Sequence, residues 1–220
     1  MAGVSFTTLE EAARNVRSGM RVMLGGFGLA GVPDQLVFTV REKTDARDLT
    51  VISNNLTVGT QADKLFQEGR IKKAIGSYFT TNKSVVQAYR QGRVEIELLP
   101  QGTFAEAIRL GGAGIAAFYT PTAAGTELAA GKEVRLFDGR EHVLERSLRA
   151  DVALIHAYKA DAAGNLVYRK SSRNFNPLMA MAADMVIAEV EQVVAVGELD
   201  PDEIVTPFVF VDQVVELARG

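Results

Sequence analysis

The 220-residue sequence contains no cysteine. That excludes a disulfide framework, a thiolate zinc site and a cysteine nucleophile from this chain. It also fits a reducing compartment, and the cytoplasm is the expected location. Histidine is nearly as scarce. His142 and His156 fall in different predicted strands with no metal-ligand spacing to join them, so no metal site is expected. No apolar run reaches the roughly 18 residues that span a bilayer. The segment MAGVSFTTLEEAARN lacks the apolar core of a signal peptide. An excess of one charge is missing too: 24 Lys+Arg against 27 Asp+Glu leave a net charge of −3. Such a balance offers no footprint for nucleic acid or an anionic membrane. Neither a Walker loop nor a Gly-x-Ser-x-Gly elbow occurs.

What is present is a globular composition, 47% hydrophobic and 23% charged, which excludes a disordered chain, a coiled coil and a collagen-like repeat. The length suits a single domain over residues 1–220. Thr7 or Thr8, with Glu10 or Glu11 three residues on, forms a capping box for a first helix. Leu9, Ala12, Ala13 and Val16 give that helix its apolar stripe, and Gly19 ends it. Short apolar runs at Val22–Leu24, Leu49–Ile52, Ile75–Phe79 and Val94–Leu98 read as strands. Helical patterns at 34–43, 61–68 and 84–90 alternate with them, and Thr103-x-x-Glu106 reads as a capping box opening a helix to about Leu110. This alternation predicts an α/β fold, a mainly parallel sheet with helices on both faces. Residues 111–131, rich in Gly, Ala and Thr, read as irregular with one short strand. Val134–Phe137, Asp138-Gly139 and His142–Leu144 read as a hairpin with a type I′ turn, so this region is a hairpin-containing irregular insertion. Val152–Ala157, Leu166–Tyr168 and Met185–Val190 are further strands, and residues 212–218 read as a final helix.

Four segments could carry chemistry. Leu24 to Pro33 joins a strand to a helix, and Gly26, Gly28 and Gly31 satisfy G-x-G-x-x-G literally. Glycines there admit a ligand close to backbone N–H groups, as in a dinucleotide site, or simply allow tight packing. A nicotinamide site also needs an acid at the end of the second strand, and that strand ends in Ser53-Asn54-Asn55. Asn54 and Asn55 are the second candidate, because uncharged amides at a strand's carboxyl end can orient a carboxylate or an acyl oxygen. Gln101, in Pro100-Gln101-Gly102-Thr103, is the third, with an amide able to polarise a carbonyl. Lys170 to Pro177 is the fourth, a phosphate or carboxylate holder or a solvated polar loop. The chain offers ligand-holding groups and no self-evident nucleophile. The pair Glu95 and Glu97 has the two-residue spacing of ordinary strand patterning.

Together, Gly25-Gly26-Phe27 … Gly31-Val32-Pro33, Ser53-Asn54-Asn55, Pro100-Gln101-Gly102-Thr103, Gly111-Gly112-Ala113-Gly114, Phe118-Tyr119-Thr120-Pro121-Thr122 and Ser172-Arg173-Asn174-Phe175-Asn176 resemble, in order, family I coenzyme A transferases. The resemblance runs from about the first helix to Val214. It is to the alpha subunit of the two-subunit 3-oxoacid and 3-oxoadipate coenzyme A transferases. Ala123-Ala124-Gly125 departs from the family's frequent Gly-Tyr-Gly.

The resemblance implies transfer of coenzyme A from an acyl-CoA such as succinyl-CoA to a 3-oxo acid, through a glutamyl anhydride and then a glutamyl thioester. It implies that the glutamate lies in a Ser-x-Glu-Asn-Gly segment of the beta subunit, which this chain lacks. By the same resemblance no permanently bound cofactor is expected, the coenzyme A thioester would be a substrate, and a heterotetramer is usual in the family. Gln101 would help form the oxyanion hole, Asn54 and Asn55 would orient the glutamate or acyl group, and Gly25, Gly26, Phe27, Gly28 and Gly31 would line the coenzyme A cleft. Two other readings stand beside it: an NAD(P)-dependent oxidoreductase using the glycine loop, and a non-catalytic acyl-CoA-binding module.

Overall fold

The computed structural model describes residues 3–218. In chain order they form β1 (Ser5–Phe6), α1 (Leu9–Ala13), β2 (Arg21–Leu24), α2 (Asp34–Lys43), β3 (Leu49–Ile52), α3 (Gln61–Gln67), β4 (Ile71–Gly76), α4 (Lys83–Arg90), β5 (Glu95–Leu98), α5 (Gln101–Gly112), β6 (Ala117–Thr120), β7 (Val134–Phe137), β8 (Arg140–Arg146), β9 (Ala150–Asp161), β10 (Leu166–Val167), α6 (Asn176–Met181), β11 (Ala183–Val194) and β12 (Gln213–Glu216). The large sheet has the order β1-β12-β11-β9-β2-β3-β4-β5, with neighbours parallel throughout and β10 antiparallel on β9. The chain lays down β2 to β5 outward in one direction, then returns to place β9 on the other side of β2. Order reverses there, and open α/β sheets bind ligands at the carboxyl ends of strands beside such a reversal.

Helices cover both faces, as the alternation predicts. Successive strand residues point to opposite sides. Val22 and Leu24 therefore join Leu36, Val37 and Val40 of α2 in one core, while Met23 joins Phe104 and Ile108 of α5 and Met179 of α6 in the other. Side chains such as Met23 and Ile52 are fully buried, each stabilising the fold by about 1.5–3 kcal/mol relative to exposure. The first helix starts as its capping box dictates: the Glu11 N–H donates to Thr8 Oγ1 at 3.2 Å, and the Thr8 N–H donates to the Glu11 carboxylate at 3.5 Å. It stops at Ala13, short of Gly19, although Val16 is still buried.

Three expectations are corrected. Residues 212–218 hold a strand, β12, not a helix. Val214 and Val215 are buried in opposite cores, and β12 is hydrogen-bonded between β1 and β11. Two β-branched residues filling a slot between strands outweigh a weak helical stripe. The strand expected over Ile75–Phe79 instead spans Ile71–Gly76. Lys73 gave it a polar look, but its ammonium bridges Glu95 and Glu97 of β5 at 2.7 and 2.8 Å. Finally, α5 begins at Gln101, directly after the extended Pro100, so Thr103 is buried inside the helix rather than capping it. Glu106 pairs with Arg109 instead.

The insertion is more ordered than expected. β6, β8 and β7 form a separate antiparallel sheet. Asp138 and Gly139 turn its hairpin with φ of +49° and +76°, as a type I′ turn requires. Buried Glu145 is neutralised by Lys132 at 2.7 and 2.9 Å. Among the described residues, no helix is long and apolar enough to cross a membrane.

Candidate functional site

The carboxyl ends of β3, β4 and β5 carry one uncharged cluster. Asn54 follows β3 and is buried; its Nδ2 donates to Gln101 Oε1 at 2.6 Å and to Ser77 Oγ at 2.8 Å. Ser77 follows β4 and donates its hydroxyl to Gln101 Oε1. Gln101 is the first residue of α5 and is exposed. The backbone staples the same three ends: the N–H groups of Ser77 and Tyr78 donate to Asn54 O at 3.1 and 3.2 Å, and the Leu99 N–H donates to Gly76 O at 3.0 Å. Sequence reasoning thus named two members of the cluster and missed Ser77. A serine directly after a buried strand of a parallel sheet was the available signal. Asn55 stands apart, half-buried in a cleft beside Gly26, Gly28 and Thr57.

The glycine loop is largely filled by the protein itself. A Cβ on Gly25 would lie 1.8 Å from Asn176 Oδ1, and one on Gly31 would lie 2.6 Å from Ser172 O. Asn176 is fully buried at the start of α6. Its Oδ1 accepts the His156 N–H at 3.0 Å, and its Nδ2 donates to Gly31 O at 3.0 Å and Ser172 O at 2.8 Å. Asn174 Nδ2 donates to Ala30 O at 3.0 Å. The amides of the Lys170–Pro177 segment therefore hold the loop, while Lys170 is exposed and Arg173 exposed as well. Gly26 is buried against Val32. The tip reaches solvent: Phe27 is exposed and stacks on Phe175 at 6.5 Å, Leu29 is more exposed still, and a Cβ on Gly28 would meet nothing within 4 Å.

Beside this loop, β9 and β11 place His156 opposite Glu189. Glu189 is buried; its Oε2 accepts the Leu36 N–H at 2.8 Å, capping α2, and its Oε1 lies 3.1 Å from His156 Nδ1. Glu191 lies 3.5 Å from His156 Nε2. Burial pushes the Glu189 carboxyl above the usual carboxylate range, against the opposing bonds from His156 and Leu36. Burial also disfavours charge on His156, but the bond to Glu189 and the charges of Glu189 and Glu191 outweigh it and raise its pKa. His142 lies in the small sheet, edge-on to Phe137 at 5.1 Å. Among the described residues, no group of three or more His, Asp or Glu could hold a metal ion.

A model of the coenzyme A transferase family matches residues 6–217. The chain belongs to that family and is a transferase. It is 48% identical over 214 residues to the alpha-type subunit of a probable succinyl-CoA:3-ketoacid coenzyme A transferase from Bacillus subtilis (strain 168), covering 97% of this chain and 90% of that one. It is 47% identical over 223 residues to the alpha-type subunit of a 3-oxoadipate CoA-transferase from Pseudomonas putida, covering 99% and 95%. An acyl-CoA transferase from Escherichia coli O157:H7 has the same fold, with a TM-score of 0.83 at 18% identity over 97% of this chain and 47% of that one. The oxidoreductase reading finds no support. β3 ends without the ribose-binding acid, and Gly31 faces the chain's own Ser172 and Asn176.

Two outcomes follow. Gly25→Ala destabilises by about 3 kcal/mol, because a buried amide with three hydrogen bonds must move. Gly28→Ala costs only about 1 kcal/mol, for its positive φ. Urea unfolding compares the two, and equal losses would contradict the packing role of Gly25. His156, raised in the folded state, contributes stability that is complete below its ordinary value of 6.5 and lost as pH rises through the higher folded value. Glu189, also raised, adds a loss in the same direction that begins above the ordinary carboxylate value. His156→Gln should flatten the decline in urea midpoint above pH 6.5; an unchanged slope would refute the linkage.

Proposed function

We propose that this chain is the alpha subunit of a two-subunit coenzyme A transferase, which moves coenzyme A from an acyl-CoA, such as succinyl-CoA, to a 3-oxo acid such as acetoacetate or 3-oxoadipate. The observation that carries the reading is the Asn54–Ser77–Gln101 cluster, whose members bond only to uncharged groups. Ser77 has amide partners, and an amide takes no proton, so this serine is not activated for attack. The cluster is a polarising wall in need of a nucleophile. A beta subunit would supply a glutamate, in keeping with relatives that are each named as one subunit of such an enzyme.

In this mechanism the partner's glutamate carboxylate attacks the acyl-CoA carbonyl. The carbonyl oxygen gains negative charge, and the Gln101 amide N–H stabilises it. The positive end of the twelve-residue α5, which starts at Gln101, favours the same charge. Thiolate leaves and a mixed anhydride forms. The thiolate then attacks the glutamyl carbonyl, releasing the first acid and leaving coenzyme A on the glutamate. The second acid reverses both steps. Binding energy from the remote parts of coenzyme A offsets the cost of the anhydride. We assign loop contact with coenzyme A to Phe27 and Gly28 at the tip of the loop, and orientation of the glutamate to Asn55 directly and to buried Asn54 through the Gln101 amide it holds. A cysteine-free chain accords with a cytoplasmic enzyme.

In the assembled enzyme, Gln101→Ala should lower kcat by about 10²-fold, as loss of an oxyanion donor does elsewhere. Unchanged turnover in an intact complex would remove Gln101 from the mechanism. The isolated chain should show no transferase activity until its beta partner is added. Borohydride reduction after acyl-CoA treatment, read by mass spectrometry, should mark a glutamate of the added partner, and a mark on this chain would overturn the division of labour.

A further inference from the structure

We infer that Ser77 is a positioning residue that fixes which end of the Gln101 amide faces the cleft. The inference rests on the oxyanion role proposed for Gln101. A glutamine amide has an accepting oxygen and a donating NH2 at nearly the same reach, so rotation by a half-turn exchanges them. An oxyanion needs the NH2. With the oxygen outward, the same side chain would place a lone pair against the developing charge.

The donors around Gln101 Oε1 decide the matter. Asn54 Nδ2 lies 2.6 Å from Gln101 Oε1 and 2.8 Å from Ser77 Oγ, two acceptors so close to each other that a single amide proton serves them. The Ser77 hydroxyl has two acceptors in reach, Gln101 Oε1 and, at 3.3 Å, Asn54 O, and Oε1 is the nearer. Oε1 therefore faces donors on the protein side, the Asn54 amide and the Ser77 hydroxyl. The Gln101 NH2 is the end left over, on an exposed residue at the carboxyl edge of the sheet. Asn54 alone gives Oε1 one donor; Ser77 supplies the second and is itself held by the Asn54 amide. Its position is set by Gly76, where a Cβ would lie 2.1 Å from Ser53 O, so only glycine lets the end of β4 lie this close to the end of β3.

The test uses the assembled two-subunit enzyme. Ser77→Ala should lower kcat about tenfold through partial loss of amide orientation, with KM for acyl-CoA and the melting temperature nearly unchanged. Ser77→Thr, which keeps the hydroxyl, should recover most of the loss. In a Gln101→Ala background, Ser77→Ala should cost nothing further, because the amide through which it acts is gone. Should Ser77→Ala not fold, Ser77→Gly removes the same hydroxyl and is read the same way. Wild-type kcat in Ser77→Ala alongside a slow Gln101→Ala would overturn the positioning role and leave the proposed function standing. A full Ser77→Ala loss that persists in the Gln101→Ala background would also overturn it. Wild-type turnover in Gln101→Ala would overturn the oxyanion role itself, and the positioning role with it.

Discussion

The carboxyl edge depends on how closely the ends of β3 and β4 approach. Gly76 has no Cβ, and the space a Cβ would take is occupied by Ser53 O. That approach brings the Ser77 and Tyr78 N–H groups onto Asn54 O and the Ser77 hydroxyl into line with the Asn54 and Gln101 amides. Parallel pairing of β3, β4 and β5 then places three residues distant in sequence at one edge. The cluster is uncharged throughout, which suits the carboxylate and thioester that the proposed function brings to it. A fixed cation there would hold the ground-state carboxylate as firmly as the transition state and so gain little rate.

A second constraint shapes the neighbouring loop. Asn176 is buried without access to water, so its amide must find partners within the protein. It finds them on three segments: β9 through His156, the glycine loop through Gly31, and the preceding turn through Ser172. Glycines at positions 25 and 31 are the counterpart of that demand, since a side chain at either would displace the amide or its neighbour. The G-x-G-x-x-G pattern is the same one a dinucleotide site uses, with the protein's own amide in the place of a phosphate. Glu189 acts in a similar way nearby. Its carboxylate caps α2, which has no side-chain cap of its own at Pro33, and thereby fixes the helix that leaves the loop.

Much of this was legible because the signals were local. Asp34–Lys43 and Leu49–Ile52 match their expected bounds because periodicity and flanking residues agree. Asp138-Gly139 specifies its turn by backbone preference alone. The misread elements are those decided by distant neighbours. Val214 and Val215 become strand because β1 and β11 leave a slot between them. Lys73 sits in β4 because Glu95 and Glu97 neutralise it from β5. At the candidate site, Asn54 and Gln101 were visible as amides at strand ends, whereas Ser77 fell inside the strand expected over Ile75–Phe79, and only the true end of β4 at Gly76 puts it directly after a buried strand.

By itself the sequence determined the alternation of strands and helices, the absence of a thiol or self-evident nucleophile, and the family, because each is carried by residue type and order along the chain. The tertiary structure alone decided that Asn54, Ser77 and Gln101 share hydrogen bonds, that Gly25 and Gly31 serve Asn176, and that His156 faces Glu189. Those are distances between strand ends and across sheet neighbours, and they exist only once parallel pairing has set the register.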